Sequence, residues 1–342
     1  MKYFKLLWLL LLLAGMFSCS DNNQKRKWKA VSDLASSELL FQEIEIEAML
    51  GRPYKIGVAD SLLIILDDID GKALLLYNVV NHSYMRVLNI GQGPGEVLNP
   101  IDIDVSDKVI NVLQRQNGKC RRYIIDKLLS GEVLDFENVE LGRADRIAQT
   151  DSGYACLGIY NKGLLGVFDN KGSEKEYIDE YAKFNIQDVS NEYRFFQGRL
   201  AFTGGCLMVA PSYASIIRFY MCQDGKWVKK DSFDIGGSKF EERILNNMDF
   251  TLSKSDIRKC IDACKSNKYF YVLYDGTNLG HTQVAEFRYI MRFDTAGQLN
   301  CVYKVAPTIS NICVSNDDIA IYALLIGRDG EYVVGKSCME HN

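Results

Sequence analysis

The chain has 342 residues and balances 40 Lys plus Arg against 44 Asp plus Glu, a formal net charge of −4. Outside one short run near the N-terminus no stripe of positive charge forms, which argues against nucleic acid as a partner. Pro is scarce at 5 while Tyr and Phe reach 19 and 16. With recurrent Gly-Asp-Asn turns this predicts an all-β body, too long for one ordinary core unless the fold is repetitive.

In chain order, residues 1–18 read as a signal peptide: Lys2 and Lys5, an apolar run over 6–13, then the small residues Ala14, Gly15 and Ser18. The run stops short of the roughly 20 apolar residues that span a bilayer, so removal is expected rather than membrane insertion. Gly15-Met16-Phe17-Ser18-Cys19 resembles the lipobox at which lipoprotein signal peptidase cuts before a cysteine. That likeness implies a lipid on Cys19, and several acyl chains at about 0.8 kcal/mol per buried methylene would anchor the chain stably. Ser20-Asp21-Asn22-Asn23 resembles the polar export signal of Bacteroidota lipoproteins, which implies the outer membrane, with the cell surface favoured over the periplasm. Residues 19–37, including the basic run Gln24-Lys25-Arg26-Lys27-Trp28-Lys29, are expected to be a solvated tether.

Over 38–342 a unit of strands and polar turns recurs roughly every 40–55 residues, the mark of a repeat architecture. The clearest copy has strands at 54–58, 62–66, 73–77 and 85–90. A second runs through 101–105, 109–113, 122–125 and 133–139, and a third through 146–148, 153–157 and 164–168. The fourth uses 194–202, 206–210, 216–222 and 227–233, the fifth 269–274, 287–294 and 299–305, the sixth 309–314, 318–324 and 332–335. The sixth reads one strand short, and the alternating segment 41–46 is expected to supply it, closing a ring and removing exposed edges. The expected fold is therefore a six-bladed β-propeller of four-stranded antiparallel blades.

One segment breaks the strand rhythm. Phe240, Ile244, Leu245 and Met248 recur at helical spacing, as do Ile257, Cys260, Ile261 and Cys264, with Ser253-Lys254-Ser255-Asp256 as a cap. This predicts a helical insertion over 238–265, between blades four and five. Cys260 and Cys264 would share a helix face, as core residues in preference to half a zinc site. Of the 10 cysteines, lipidation of Cys19 leaves an odd number. Cys156, Cys206, Cys301 and Cys313 lie in apolar runs as small core residues, and no disulfide framework is expected.

Gly91-Gln92-Gly93-Pro94-Gly95-Glu96-Val97-Leu98-Asn99-Pro100 follows the strand 85–90 and resembles a recurring signature of the six-bladed β-propeller lipoproteins of Bacteroidota, a family similar to TolB-like and NHL-like propellers. The residues suit an inter-blade turn. Gly91, Gly93 and Gly95 permit positive φ, Pro94 stiffens the crossing, and Glu96 can accept hydrogen bonds from turn amides. A phosphate cradle is the alternative, but no Lys-Ser/Thr follows and no helix opens here.

Chemistry is sparse. The only histidines are His82, His281 and His341, none at ligand or triad spacing, and no Gly-x-Ser-x-Gly elbow appears. Asp67, Asp68 and Asp70 precede Gly71 in what reads as a hairpin turn and not a calcium loop, whose distal Glu is missing. Asp102 and Asp104 share one face of a strand, so a structural cation could sit on the ring axis, but no other cofactor is expected. The expectation is a non-catalytic envelope propeller that binds a protein, glycan or peptide and contacts the membrane through its lipid. A metal-dependent lyase or hydrolase using channel acids, and a structural subunit of an envelope complex, are the alternatives.

Overall fold

The computed structural model describes residues 30–106, 108–115, 118–178, 189–237, 239–247, 249–280, 286–327 and 329–339. The expected signal peptide, Cys19, the basic run to Lys29, His281 and His341 lie outside these. Among the described residues no helix is long and apolar enough to cross a membrane.

Six antiparallel blades follow one another, each with its first strand innermost. The closing blade takes its outer strand from the N-terminus, as expected. The inner strands are Lys55–Ala59, Pro100–Ser106, Ala144–Thr150, Gly198–Thr203, Ile257–Lys265 and Ile309–Val314, and each touches the next around the ring. The ring closes where Gln42–Ile44 pairs antiparallel with Tyr332–Cys338 in the sixth blade. Blade three has an outer strand, Glu174–Ile178, that the apolar pattern does not show, because its residues are mostly charged and half exposed.

Blades stack face to face, so their middle strands are buried on both sides and read as continuous apolar runs. In the blade-one strand Leu62–Ile69, Leu63 and Ile65 pack toward blade six with Cys313, Tyr322 and Leu324. Ile64 and Leu66 pack toward blade two with Ile103, Ile110 and Val112. The two-residue period thus deals alternate side chains to two inter-blade cores, each side chain contributing about 1.5–3 kcal/mol. Asp70 and Gly71, at φ 52° and 69°, turn this strand into its partner as a tight hairpin.

Two expected boundaries move. Residues from Val31 onward are not free tether: Val31 is 2% exposed among apolar side chains of blades four and five. The Ser36 amide donates to the Val302 carbonyl, and Ser37–Glu38 adds a short parallel strand to Leu299–Val305 of blade five. The insertion over 238–265 is helical only at Lys239–Asn247, whereas Ile257–Lys265 is the inner strand of blade five. Register shifts fall between Arg258 and Cys260 and between Cys260 and Asp262. They break the two-residue alternation, so apolar residues three and four apart imitate a helix. Cys260 consequently packs toward blade four and Cys264 toward blade six, on opposite sides of the blade, which removes the shared face a metal pair would need.

Candidate functional site

Neighbouring inner strands lie side by side without a backbone ladder, so their inward amides need other acceptors. Inner-strand aspartates provide them. Asp102 Oδ2 accepts from the Ile147 amide at 3.1 Å and Asp104 Oδ2 from the Gln149 amide at 2.9 Å, tying blade two to blade three. Asp262 Oδ2 accepts from the Ile312 amide at 3.0 Å, tying blade five to blade six.

Cations from other blades balance these acids. Lys55 Nζ lies 2.6 Å from Asp262 Oδ1 and donates to the Ala263 carbonyl at 3.1 Å, while Arg199 Nε stands 3.6 Å from the same Asp262 oxygen. Lys265 Nζ sits 3.8 Å from Asp104 Oδ1, reaching from blade five to blade two. Burial would lower the Lys55 pKa, but Asp262 and Asp102 outweigh it and hold the ammonium charged. Burial pushes the Asp102 carboxyl up, against the opposing pull of Arg146 and Lys55. Burial and the like charge of Arg146 lower the Arg199 pKa. Side chains fill the axis and leave a cavity of about 60 Å³.

At the end where the inner strands begin, the axis opens into a mouth of about 530 Å³. Four guanidiniums line it, those of Arg52, Arg115, Arg146 and Arg199, together with the ring of Tyr54. Beneath them Asp145 is 3.2 Å from Arg146 and 3.6 Å from Arg115, and it accepts from the Tyr193 hydroxyl at 2.6 Å.

The glycine-rich segment is part of this wall. Its end, Asn99 and Pro100, lines the mouth, and the Tyr54 hydroxyl donates to the Pro100 carbonyl at 2.7 Å. Glu96 Oε2 accepts from the Gly93 amide at 2.8 Å, and the Gly91 amide donates to the Val97 carbonyl at 3.0 Å. Only Gly95 of the three glycines has positive φ, at 77°. Gly91 is required for another reason: a Cβ there would stand 2.1 Å from Glu96 Oε2.

Asp102 and Asp104 thus do face the axis, each engaged by a backbone amide. Among the described residues no group of three His, Cys, Asp or Glu could hold a metal ion. Asp67 is a buried anchor that accepts from the Gly51 and Arg52 amides at 3.1 and 2.8 Å. His82 hydrogen-bonds the Tyr77 hydroxyl at 2.8 Å in a turn. The described cysteines are all free thiols. The mouth arginines escape a motif search because they come from four separate blades. Only Arg146 and Arg199 lie near the start of an inner strand, as Lys55 does, while Arg52 and Arg115 lie outside the inner strands.

A family model described as a TolB-like 6-blade propeller matches residues 37–317. No curated protein matches the sequence. Among solved structures, a Bacteroides fragilis protein named as exported shares 13% identity at TM-score 0.57, covering 89% of this chain and 95% of that one. A member of the duf4221 family from Bacteroides vulgatus shares 10% identity at TM-score 0.52, covering 89% and 98%. A luciferin-regenerating enzyme shares 10% identity at TM-score 0.51, covering 88% and 95%. Identities this low establish the fold alone, and one fold here serves differently named proteins. With its six blades, its ring closure and a family match over most of its length, the chain belongs to the TolB-like six-bladed propellers.

Proposed function

We propose that this protein is a non-catalytic binding module of the cell envelope, held at the outer membrane by lipid on Cys19, with its ligand seat at the mouth of the ring. The observation that carries the reading is the contrast along the axis. Below, charges pair with one another and leave about 60 Å³, while above them a polar cup of about 530 Å³ is open to solvent. The larger volume falls within the range of small-molecule sites. The envelope address is supported by the lipobox-like Gly15–Cys19 sequence and by the exported name of the Bacteroides fragilis structure.

The test is a glycan and peptide array probed with the full chain and with Asp68→Trp, which fills the mouth from an exposed wall position. A ligand retained by the native chain and weakened at least about tenfold by Asp68→Trp is expected. Equal retention by both, or none by the native chain, overturns the seat. For the address, Cys19→Ala should leave the precursor uncut or release the protein from membranes. A variant still processed and membrane-bound would overturn the lipid anchor.

A further inference from the structure

We infer that the mouth is an oxyanion site, which takes a small molecule through its carboxylate, phosphate or sulfate group. The inference rests on the mouth being the seat and adds the chemistry of what it holds. Five cations line it, Arg52, Lys55, Arg115, Arg146 and Arg199, against the two carboxylates of Asp68 and Asp102. Lys55 is committed to Asp262 at 2.6 Å, and Asp102 to the Ile147 amide. The guanidiniums are not committed in the same degree.

Arg199 donates to the Gly198 carbonyl at 3.2 Å from Nη1, and its Nε is 3.6 Å from Asp262, which leaves Nη2 without a partner among the described residues. Among the described residues the Arg115 guanidinium meets only Asp145, at 3.6 Å, beyond a hydrogen bond, with its side chain 61% exposed. The Arg52 side chain makes no ion pair or hydrogen bond among the described residues, its amide alone bonding Asp67. Planar N–H forks with spare donors, converging on one cup from several blades, match the paired oxygens of an oxyanion. At Arg146 and Arg199, whose side chains are 18% and 22% exposed, the half-buried setting strengthens such a contact relative to open water. Repulsion between Arg146 and Arg199, which already lowers the Arg199 pKa alongside burial, is relieved by an anion placed between them.

The experiment is calorimetric titration of the full chain, purified in detergent, with inorganic phosphate, sulfate, citrate and glucuronate, and with glucose as the neutral control. At least one anion is expected to bind, more weakly as NaCl is raised, and glucose is not. Arg115→Gln and Arg199→Gln should each weaken that anion about tenfold or more. Arg199→Lys should fall between, since it keeps charge but loses the fork. Arg122→Gln, on a residue paired with Glu137 and outside the lining of the mouth, should change nothing. Phosphate or sulfate binding alone would place the recognition in the bare oxyanion, and citrate or glucuronate alone in a carboxylate. Either supports the inference. Anion binding that Arg122→Gln weakens as much as the mouth variants do would overturn it as nonspecific. So would silence from all four anions while an array ligand sensitive to Asp68→Trp binds, and in that case the seat survives. Silence from the anions and from the array removes both.

Discussion

The crossing from blade one to blade two and the crossing from blade four to blade five perform the same task by different means. The first runs from Asn89 to Pro100 and has its turn held from within: the Val97 amide bonds the Asn89 carbonyl at 2.8 Å, and Glu96 caps the Gly93 amide at 2.8 Å, while the Leu98 amide is anchored to Gln114 of blade two at 2.7 Å. The second runs from Asp234 to Ile257 and contains the helix Lys239–Asn247, whose Phe240 and Ile244 are fully buried. Side chains pin it. Arg243 grips Asp256 with bonds of 2.8 and 2.7 Å, Ser215 donates to Glu241 at 3.0 Å, and the Phe240 ring lies 5.7 Å from that of Phe195. A short crossing writes its conformation into glycine and proline, while a long one depends on a few buried partners far apart in sequence. The two should therefore break differently.

The largest effect is expected from Arg243→Ala. It leaves Asp256, which is fully buried, bonded to Ser253 and without an ion-pair partner among the described residues. Losing one partner of a buried pair costs about 3–5 kcal/mol, readable as a fall in urea midpoint. A loss below about 1 kcal/mol would mean that apolar packing, not the ion pair, holds the long crossing. In the short crossing the damage should be smaller and local. Gly95→Ala forces a Cβ into φ 77° and within 2.4 Å of a flexible Leu134 methyl, costing about 1–2 kcal/mol. Gly91→Ala should cost about 1 kcal/mol by displacing the Glu96 carboxylate. In a Glu96→Ala background it should cost almost nothing, since both changes remove the same bond. Additive losses would show that the cap is not what Gly91 serves.

The same contrast explains what could be read from the sequence. The blades were legible where their strands face two cores, as in Leu62–Ile69, and the closing strand was legible from its alternation. The inner strand of blade five was not, because its shifts on either side of Cys260 convert a two-residue period into one that resembles a helix. Of the site, Asp102 and Asp104 stood out as paired acids on one strand face. Their role did not, since the amides of Ile147 and Gln149 that occupy them lie 45 positions further along. Arg52, Arg115, Arg146 and Arg199 meet only when the ring closes, and no local spacing records that. The short crossing stood out for its glycines, but that its end forms the wall of the mouth depends on the Tyr54 bond to Pro100.

The smallest effect, and the sharpest in sign, compares Asp256, at the end of the long crossing, with Asp102, just beyond the short one. Burial raises the pKa of Asp256, but the bonds from Arg243 and the Ser253 amide outweigh it and leave the group below its ordinary value. Its stabilisation is present above the unfolded pKa of about 3.9 and is lost as pH falls through the folded one. Asp102 is shifted the other way, burial outweighing Arg146 and Lys55, so the folded state holds its proton more tightly than the unfolded chain does. Its stabilisation is present below about pH 3.9 and is lost as pH rises through the raised value. Asp102→Asn keeps an oxygen for the Ile147 amide while removing the buried charge. Urea unfolding from pH 3 to 8 should therefore show this variant losing less stability than the native chain as pH rises past about 4. Asp256→Asn should instead lose the rise in stability that Asp256 gives over the same pH range. If Asp102→Asn proves the less stable at pH 7, attraction to Arg146 and Lys55 outweighs burial, and Asp102 belongs with Asp256 as an ion-paired anchor.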